Sequence, residues 1–170
     1  MTVVDHFIKH VEAYPLQDQE AVSVARVFRN EFVSRYGVPY VIHTDQGTNF
    51  ESNLFKEICK FLGIAKTRTS PYHPQCDGPV ERMNLTIIEL LKLNVKTLTE
   101  NWDLKIGLSL MAYRSAVQSS TGFTSYYLLY GKEMRLPFDI IYQPPLTEKS
   151  PADYANDVRC TLEQAYETSS

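Results

Sequence analysis

Apolar and polar positions change period several times along the 170 residues, and each change marks an element. Val3, Val4, Phe7, Val11 and Ala13 alternate with polar residues, the pattern of one strand ending and turning into another. Asp18 is placed to cap a helix whose apolar positions Ala21, Ala25, Phe28 and Phe32 fall at helical spacing, and Gly37 with Pro39 stops it. Val38 to His43 reads as a short buried strand that ends at the polar turn Thr44-Asp-Gln-Gly-Thr-Asn. From Ser52 to Leu62, Leu54, Phe55, Ile58, Phe61 and Leu62 return to helical spacing; Gly63 ends the run and Ile64 to Thr69 returns as a strand.

After the loop Ser70-Pro-Tyr-His-Pro-Gln, Asp77 is placed to cap a long helix with Pro79 in its first turn and Met83, Ile87, Leu90 and Leu91 on one face. Further helices fit Trp102 to Val117 and Tyr126 to Tyr130, Pro137 to Pro151 reads as a linker, and Asp153 to Tyr166 as an exposed helix. The order of strands and helices predicts a three-layer α/β fold with a mixed sheet. That order alone fits many functions.

Composition narrows the class. Seventeen Lys and Arg against 20 Asp and Glu give a net charge of −3, with 44% hydrophobic and 22% charged residues, as expected of one soluble globular domain. No apolar run approaches the roughly 18 residues of a membrane helix, and no basic start leads into an apolar stretch, so neither a membrane partner nor a secretory signal is expected. Cys59, Cys76 and Cys160 lie far apart without a C-x-x-C, and His6, His10, His43 and His73 are scattered, which argues against a disulfide framework or a structural zinc.

Two carboxylates stand out by position. Asp45 leaves a strand in a Gly-containing turn, and Glu81 falls in the first turn of a helix after a Pro-rich loop. Carboxylates from separate elements that face one cleft suit Mg²⁺, which takes oxygen ligands in octahedral geometry, and suit phosphodiester chemistry. Position alone is better explained by an Asp placed for its turn and a Glu placed for a helix dipole.

The strings around them decide between these. His43-Thr-Asp-Gln-Gly-Thr-Asn-Phe50 and Ser70-Pro-Tyr-His-Pro-Gln-Cys-Asp-Gly-Pro-Val-Glu-Arg-Met-Asn84 together resemble the catalytic core of retroviral and gypsy-type long-terminal-repeat retrotransposon integrases, and the 35 residues between Asp45 and Glu81 agree with that family's Asp-Asp-35-Glu spacing. The resemblance continues through Trp102-Asp-Leu, Met111-Ala-Tyr-Arg114, Ser120-Thr-Gly-Phe and Leu129-Tyr-Gly-Lys-Glu-Met-Arg-Leu-Pro137. It implies a ribonuclease H-like fold, DNA integration by strand transfer with Mg²⁺ or Mn²⁺, and Asp45 and Glu81 as the second and third acids of the family triad, both catalytic and metal-binding. The strand bearing the first acid would precede Thr2 to Phe7, so the expectation is a core whose first strand is missing, N-terminally truncated and inactive as written. Asp5 matches an Asp of the family's second strand that is not a triad acid. Cys76, Pro79 and Leu85 depart from the family's more common residues.

By the same resemblance Asn49, Tyr72, Gln75, Asp77 and Arg82 are expected to touch nucleic acid. Between Lys56 and Lys96 seven basic residues face four acids, a local balance of +3 that suits phosphate contact or an ordinary solvated surface. Trp102, Tyr113, Tyr126, Tyr127 and Tyr130 read as core or interface aromatics rather than a base-stacking set. The domain expectation is an integrase core over 1–117 and a post-core extension with a C-terminal helix over 118–170. The expected partners are DNA, as element ends and target, and a second copy of the chain, in the nucleus. The reading from a different class is a domesticated, non-catalytic module that binds nucleic acid or protein.

Overall fold

A computed structural model describes residues 1–68, 78–94, 101–142 and 150–169. The chain divides into two compact units, Met1–Val3 with Glu12–Asp103, and Val4–Val11 with Leu104–Ser170. Strands β1 (Thr2–Val4) and β2 (Val11–Ala13) pair with each other, as the early alternation predicts.

In the first unit, α1 (Ala21–Val27) runs directly into a π-helical segment, Phe28–Val33, and then α2 (Ser34–Tyr36), which Gly37 ends at φ +82°. Asp18 is not the helix cap. Glu20 holds that position in an extended conformation, and Asp18 instead accepts from the Glu20 amide at 2.9 Å and from the Ser23 hydroxyl, which together lower its carboxyl pKa. Strand β3 (Val41–Thr44) leads through a loop to α3 (Asn53–Phe61) and back to β4 (Ala65–Arg68), paired in parallel with β3. Ser52 caps α3 by accepting from the Phe55 amide at 3.2 Å, and Gly63 at φ +70° turns the chain toward β4.

The expected buried strand is buried on one face only. Ile42 packs on the core and Thr44 is buried, while Val41 is 59% exposed and His43 exposed, because alternate side chains of a strand point to opposite faces. The core behind that covered face joins Val24, Ala25 and Phe28 of the first helical run to Phe55, Cys59 and Ile64. Phe28 and Phe55 meet at 5.6 Å between centroids, and Phe50 meets Phe55 edge-on at 5.3 Å. The inner face of α3 is therefore Phe55, Ile58, Cys59 and Leu62; Leu54 and Phe61, counted with it from spacing, are exposed. Buried Glu12 accepts from the Tyr36 hydroxyl. Helix α4 (Gly78–Asn94) buries Met83 and Ile87, on the face its apolar spacing predicts.

In the second unit, residues 5–10 form a turn organised by Asp5, whose Oδ1 accepts from the amides of Phe7 (2.8 Å) and Ile8 (3.0 Å). Helix α5 (Trp102–Ser115) places the Arg114 guanidinium on the Val11 carbonyl, at 3.0 Å from Nε and 2.7 Å from Nη2. Helix α6 (Ser125–Tyr130) is capped by Thr124, which accepts from the Tyr127 amide, and ends at Gly131 in the left-handed region. The expected linker contains a short helix, α7 (Asp139–Tyr142), where Asp139 accepts from the Leu136 amide at 2.8 Å. Helix α8 (Pro151–Ser169) is largely exposed but buries Ala165 against Leu128 and Ile8, and its Tyr166 hydroxyl donates to the Leu128 carbonyl at 2.9 Å. Of the five aromatic residues read as core, Tyr113 is buried, Tyr126 and Tyr127 are half-buried, and Trp102 and Tyr130 are more exposed than that reading predicts.

Candidate functional site

Parallel pairing sets the frame of the site. The register runs from Val41 opposite Ala65 to Thr44 opposite Arg68, so both strands leave the pair at the same end, and Asp45 is the first residue beyond it. The carboxyl ends of parallel strands are where open α/β sheets bind ligands.

The loop after Asp45 is tied by its own backbone. Asp45 Oδ1 accepts from the Gly47 amide at 2.9 Å, and the Gly47 carbonyl accepts from the amides of Phe50 and Glu51, both at 3.0 Å. Asn49 Oδ1 accepts from the Phe50 amide at 3.1 Å, and the Asn49 carbonyl from the Ser52 hydroxyl at 2.6 Å, which joins the loop to the cap of α3. Phe50 then seats the loop on the core through Phe55. A Cβ on Gly47 would lie 2.7 Å from Asn49 Oδ1 and 2.9 Å from Asp45 Oδ1, so glycine is what lets these two side-chain oxygens converge. Asp45 and Asn49 thus share one loop with their side-chain oxygens on either side of Gly47.

Asp45 is exposed, and its Oδ2 makes no hydrogen bond among the described residues. An exposed carboxylate with one oxygen fixed by an amide and the other without a hydrogen bond has the hard-donor chemistry that Mg²⁺ or Mn²⁺ requires. Glu81 is the fourth residue of α4, as expected, but its side chain lies outside the described residues, as do Tyr72, Gln75, Cys76 and Asp77. Arg82 follows it on α4 and is exposed. Among the described residues no group of three or more His, Cys, Asp or Glu is arranged to hold a metal.

One site residue was not singled out from the sequence. Glu51 ends the loop and gathers Lys66 at 2.6 Å, Lys56 at 3.1 Å and Arg68 at 4.0 Å. Hydrogen bonds from Lys66 and then Lys56 hold its carboxyl well below the usual range, at about 2. Counting charge from Lys56 onward leaves this acid out; only the return of β4 to the loop shows that it sits among three of the cations.

The integrase core domain family matches residues 1–74. The Pol polyprotein of Radiation murine leukemia virus (strain Kaplan) is 39% identical over 132 residues, covering 77% of this chain and 22% of that protein. The retrovirus-related Pol polyprotein from transposon 412 of Drosophila melanogaster is 25% identical over 169 residues, covering 98% of this chain and 14% of that protein. This chain therefore spans less than a quarter of the length of either relative. Among solved structures, the HTLV-2 integrase catalytic core domain in complex with magnesium (trimeric form) aligns with a TM-score of 0.60 and 26% identity over 74% of this chain and 80% of that one. No helix among the described residues is long and apolar enough to cross a membrane. With its strand-end aspartate, parallel crossover and matching core sequence, the chain belongs to the retroviral integrase superfamily, with relatives in retroviruses and a gypsy-type retrotransposon, and has the ribonuclease H-like fold of an integrase catalytic core.

Proposed function

We propose that this chain is the core region of a DNA integrase, in which Asp45 and Glu81 hold a divalent cation, Mg²⁺ or Mn²⁺, beside a phosphodiester of DNA. The observation that carries the reading is the placement of Asp45 at the carboxyl end of β3, with one carboxylate oxygen fixed by the Gly47 amide and the other open. Bound ions supply activation of an attacking oxygen and neutralisation of the leaving one in an in-line displacement.

The chain's own residues do the rest. The amide of Gly47 orients Asp45, and Phe50 holds that loop on the core, so the carboxylate is presented without a large entropic penalty on binding. Asn49, with its oxygen beside that of Asp45, is proposed to contact the strand being joined, along with Tyr72, Gln75, Asp77 and Arg82. The reaction joins element ends to target DNA, in the nucleus and in a homo-oligomer.

The test is Mn²⁺ titration of the chain followed by electron paramagnetic resonance. Asp45→Asn and Glu81→Gln are each expected to weaken binding by about tenfold or more, as loss of ligand-site partners does. Binding unchanged in Asp45→Asn would sink the assignment.

A further inference from the structure

The Glu51 cluster holds more positive charge than an ion pair needs. One carboxylate faces three cations from two elements, Lys56 of α3 and Lys66 and Arg68 of β4, leaving the cluster two charges positive. Exposed ion pairs contribute little to stability, and crowding three like charges is unfavourable, so folding gives no reason for the surplus.

Its distribution is uneven. Lys66 is 12% exposed and is committed to Glu51 Oε1 at 2.6 Å, whereas Lys56 (48% exposed) and Arg68 (68% exposed) approach the other oxygen, Oε2, from solvent. An ammonium has three donors and a guanidinium five, so both exposed groups retain donors beyond the Glu51 contact. The low pKa of Glu51 reports the same positive surroundings.

Position gives the surplus a use. Arg68 pairs in register with Thr44, the residue before Asp45, and Glu51 ends the loop that Asp45 begins. Adjacent strands lie about 4.8 Å apart, so the strand that carries Arg68 ends beside the one that leads into Asp45.

We propose that Lys56 and Arg68 form a contact site for the phosphate backbone of duplex DNA, with Glu51 as the internal counterion that anchors Lys66 and keeps the cluster assembled when no DNA is bound. This site rests on the integrase reading but is separate from the carboxylates, and because it engages phosphate it is indifferent to base sequence.

The test is fluorescence anisotropy of a labelled DNA duplex with the full chain, titrated between 50 and 200 mM KCl as in the salt range that resolves phosphate contacts. The proteins compared are the wild type, Lys56→Gln with Arg68→Gln, each single variant, and a control losing the same charge, Lys132→Gln with Arg135→Gln. Each phosphate contact contributes about 0.9 to the slope of log affinity against log salt. The double variant is expected to lose roughly 1.8 of that slope, each single variant roughly half as much, and the control essentially none. A double variant with the wild-type slope overturns the site while leaving the integrase reading in place, and so does a site that binds inorganic phosphate but contributes nothing to duplex binding. A wild-type chain that binds no duplex overturns the integrase reading and this site with it.

Discussion

Replacing Gly47 with Ala separates the geometry of the site from the stability of the fold. The new Cβ would stand 2.7 Å from Asn49 Oδ1 and 2.9 Å from Asp45 Oδ1, closer than such contacts allow, and both obstructing atoms end short side chains. Those side chains rotate away, at the expense of the Asp45 bond to the Gly47 amide and the Asn49 bond to the Phe50 amide. Each hydrogen bond is worth about 0.5–1.5 kcal/mol net, and Gly→Ala returns about 0.4–1 kcal/mol by restricting the unfolded chain. The expected net loss of stability is thus on the order of 1 kcal/mol. Cation binding should suffer more, by about tenfold or beyond, because the carboxylate itself has turned. Urea unfolding gives the first quantity and Mn²⁺ titration the second. A Gly47→Ala chain that binds Mn²⁺ as the wild type does would refute the convergence of Asp45 and Asn49 on Gly47 as the device that aims the site.

Three further outcomes follow from the packing and charge. Phe55→Ala removes a 1% exposed ring that meets both Phe28 and Phe50, and should lower unfolding free energy by about 3–5 kcal/mol in urea titration. Gly131→Ala should lower the melting temperature more than Gly122→Ala: both glycines are left-handed, at φ +68° and +74°, where a side chain costs roughly 1–2 kcal/mol, but only at Gly131 would the Cβ strike a neighbour, Val158 Cγ1 at 2.7 Å. Glu51, with a folded pKa of about 2 against an ordinary 4.5, contributes stability that is fully present above about pH 4.5 and lost as pH falls toward 2. The difference in urea stability between wild type and Glu51→Gln should therefore shrink across that window, and a constant difference would contradict the pairing.

Legibility from sequence followed the range of the interactions. Local devices could be read directly: the helical spacing that begins after Ser52, Gly63 as a stop, the alternation that becomes β1 and β2, and the apolar face of α4 through Met83 and Ile87. Asp45 was legible because a turn follows a strand, and its chemical meaning because the strings around it match a known family. Asp18 was misplaced as a cap because a residue two positions ahead of the cap can bond the Glu20 amide and the Ser23 side chain instead of a first-turn amide. Val41 was expected inside because β-branched residues mark strands whichever face they occupy. The π-helical turn over Phe28–Val33 and the gathering of Lys66 and Arg68 on Glu51 depend on contacts that no local pattern encodes. Glu81, Tyr72, Gln75 and Asp77 were placed by family resemblance; α4 carries Glu81 where expected, while the side-chain position of Glu81 and the other three residues fall outside the described residues.

The parallel pairing of β3 with β4 gives the two halves of the site different folding histories. The bonds that shape the Asp45 loop join residues at most four apart, from Gly47 to Glu51, and can form together with α3. Lys66 and Arg68 arrive only when β4 closes a crossover in which Val41 meets Ala65, a contact between residues 24 apart in sequence. Long-range closure is slower than local helix and loop formation. During refolding, the loop that aims Asp45 should therefore take shape before Lys66 and Arg68 gather on Glu51, which orders in time two parts of the site that stand only a few residues apart in the finished fold.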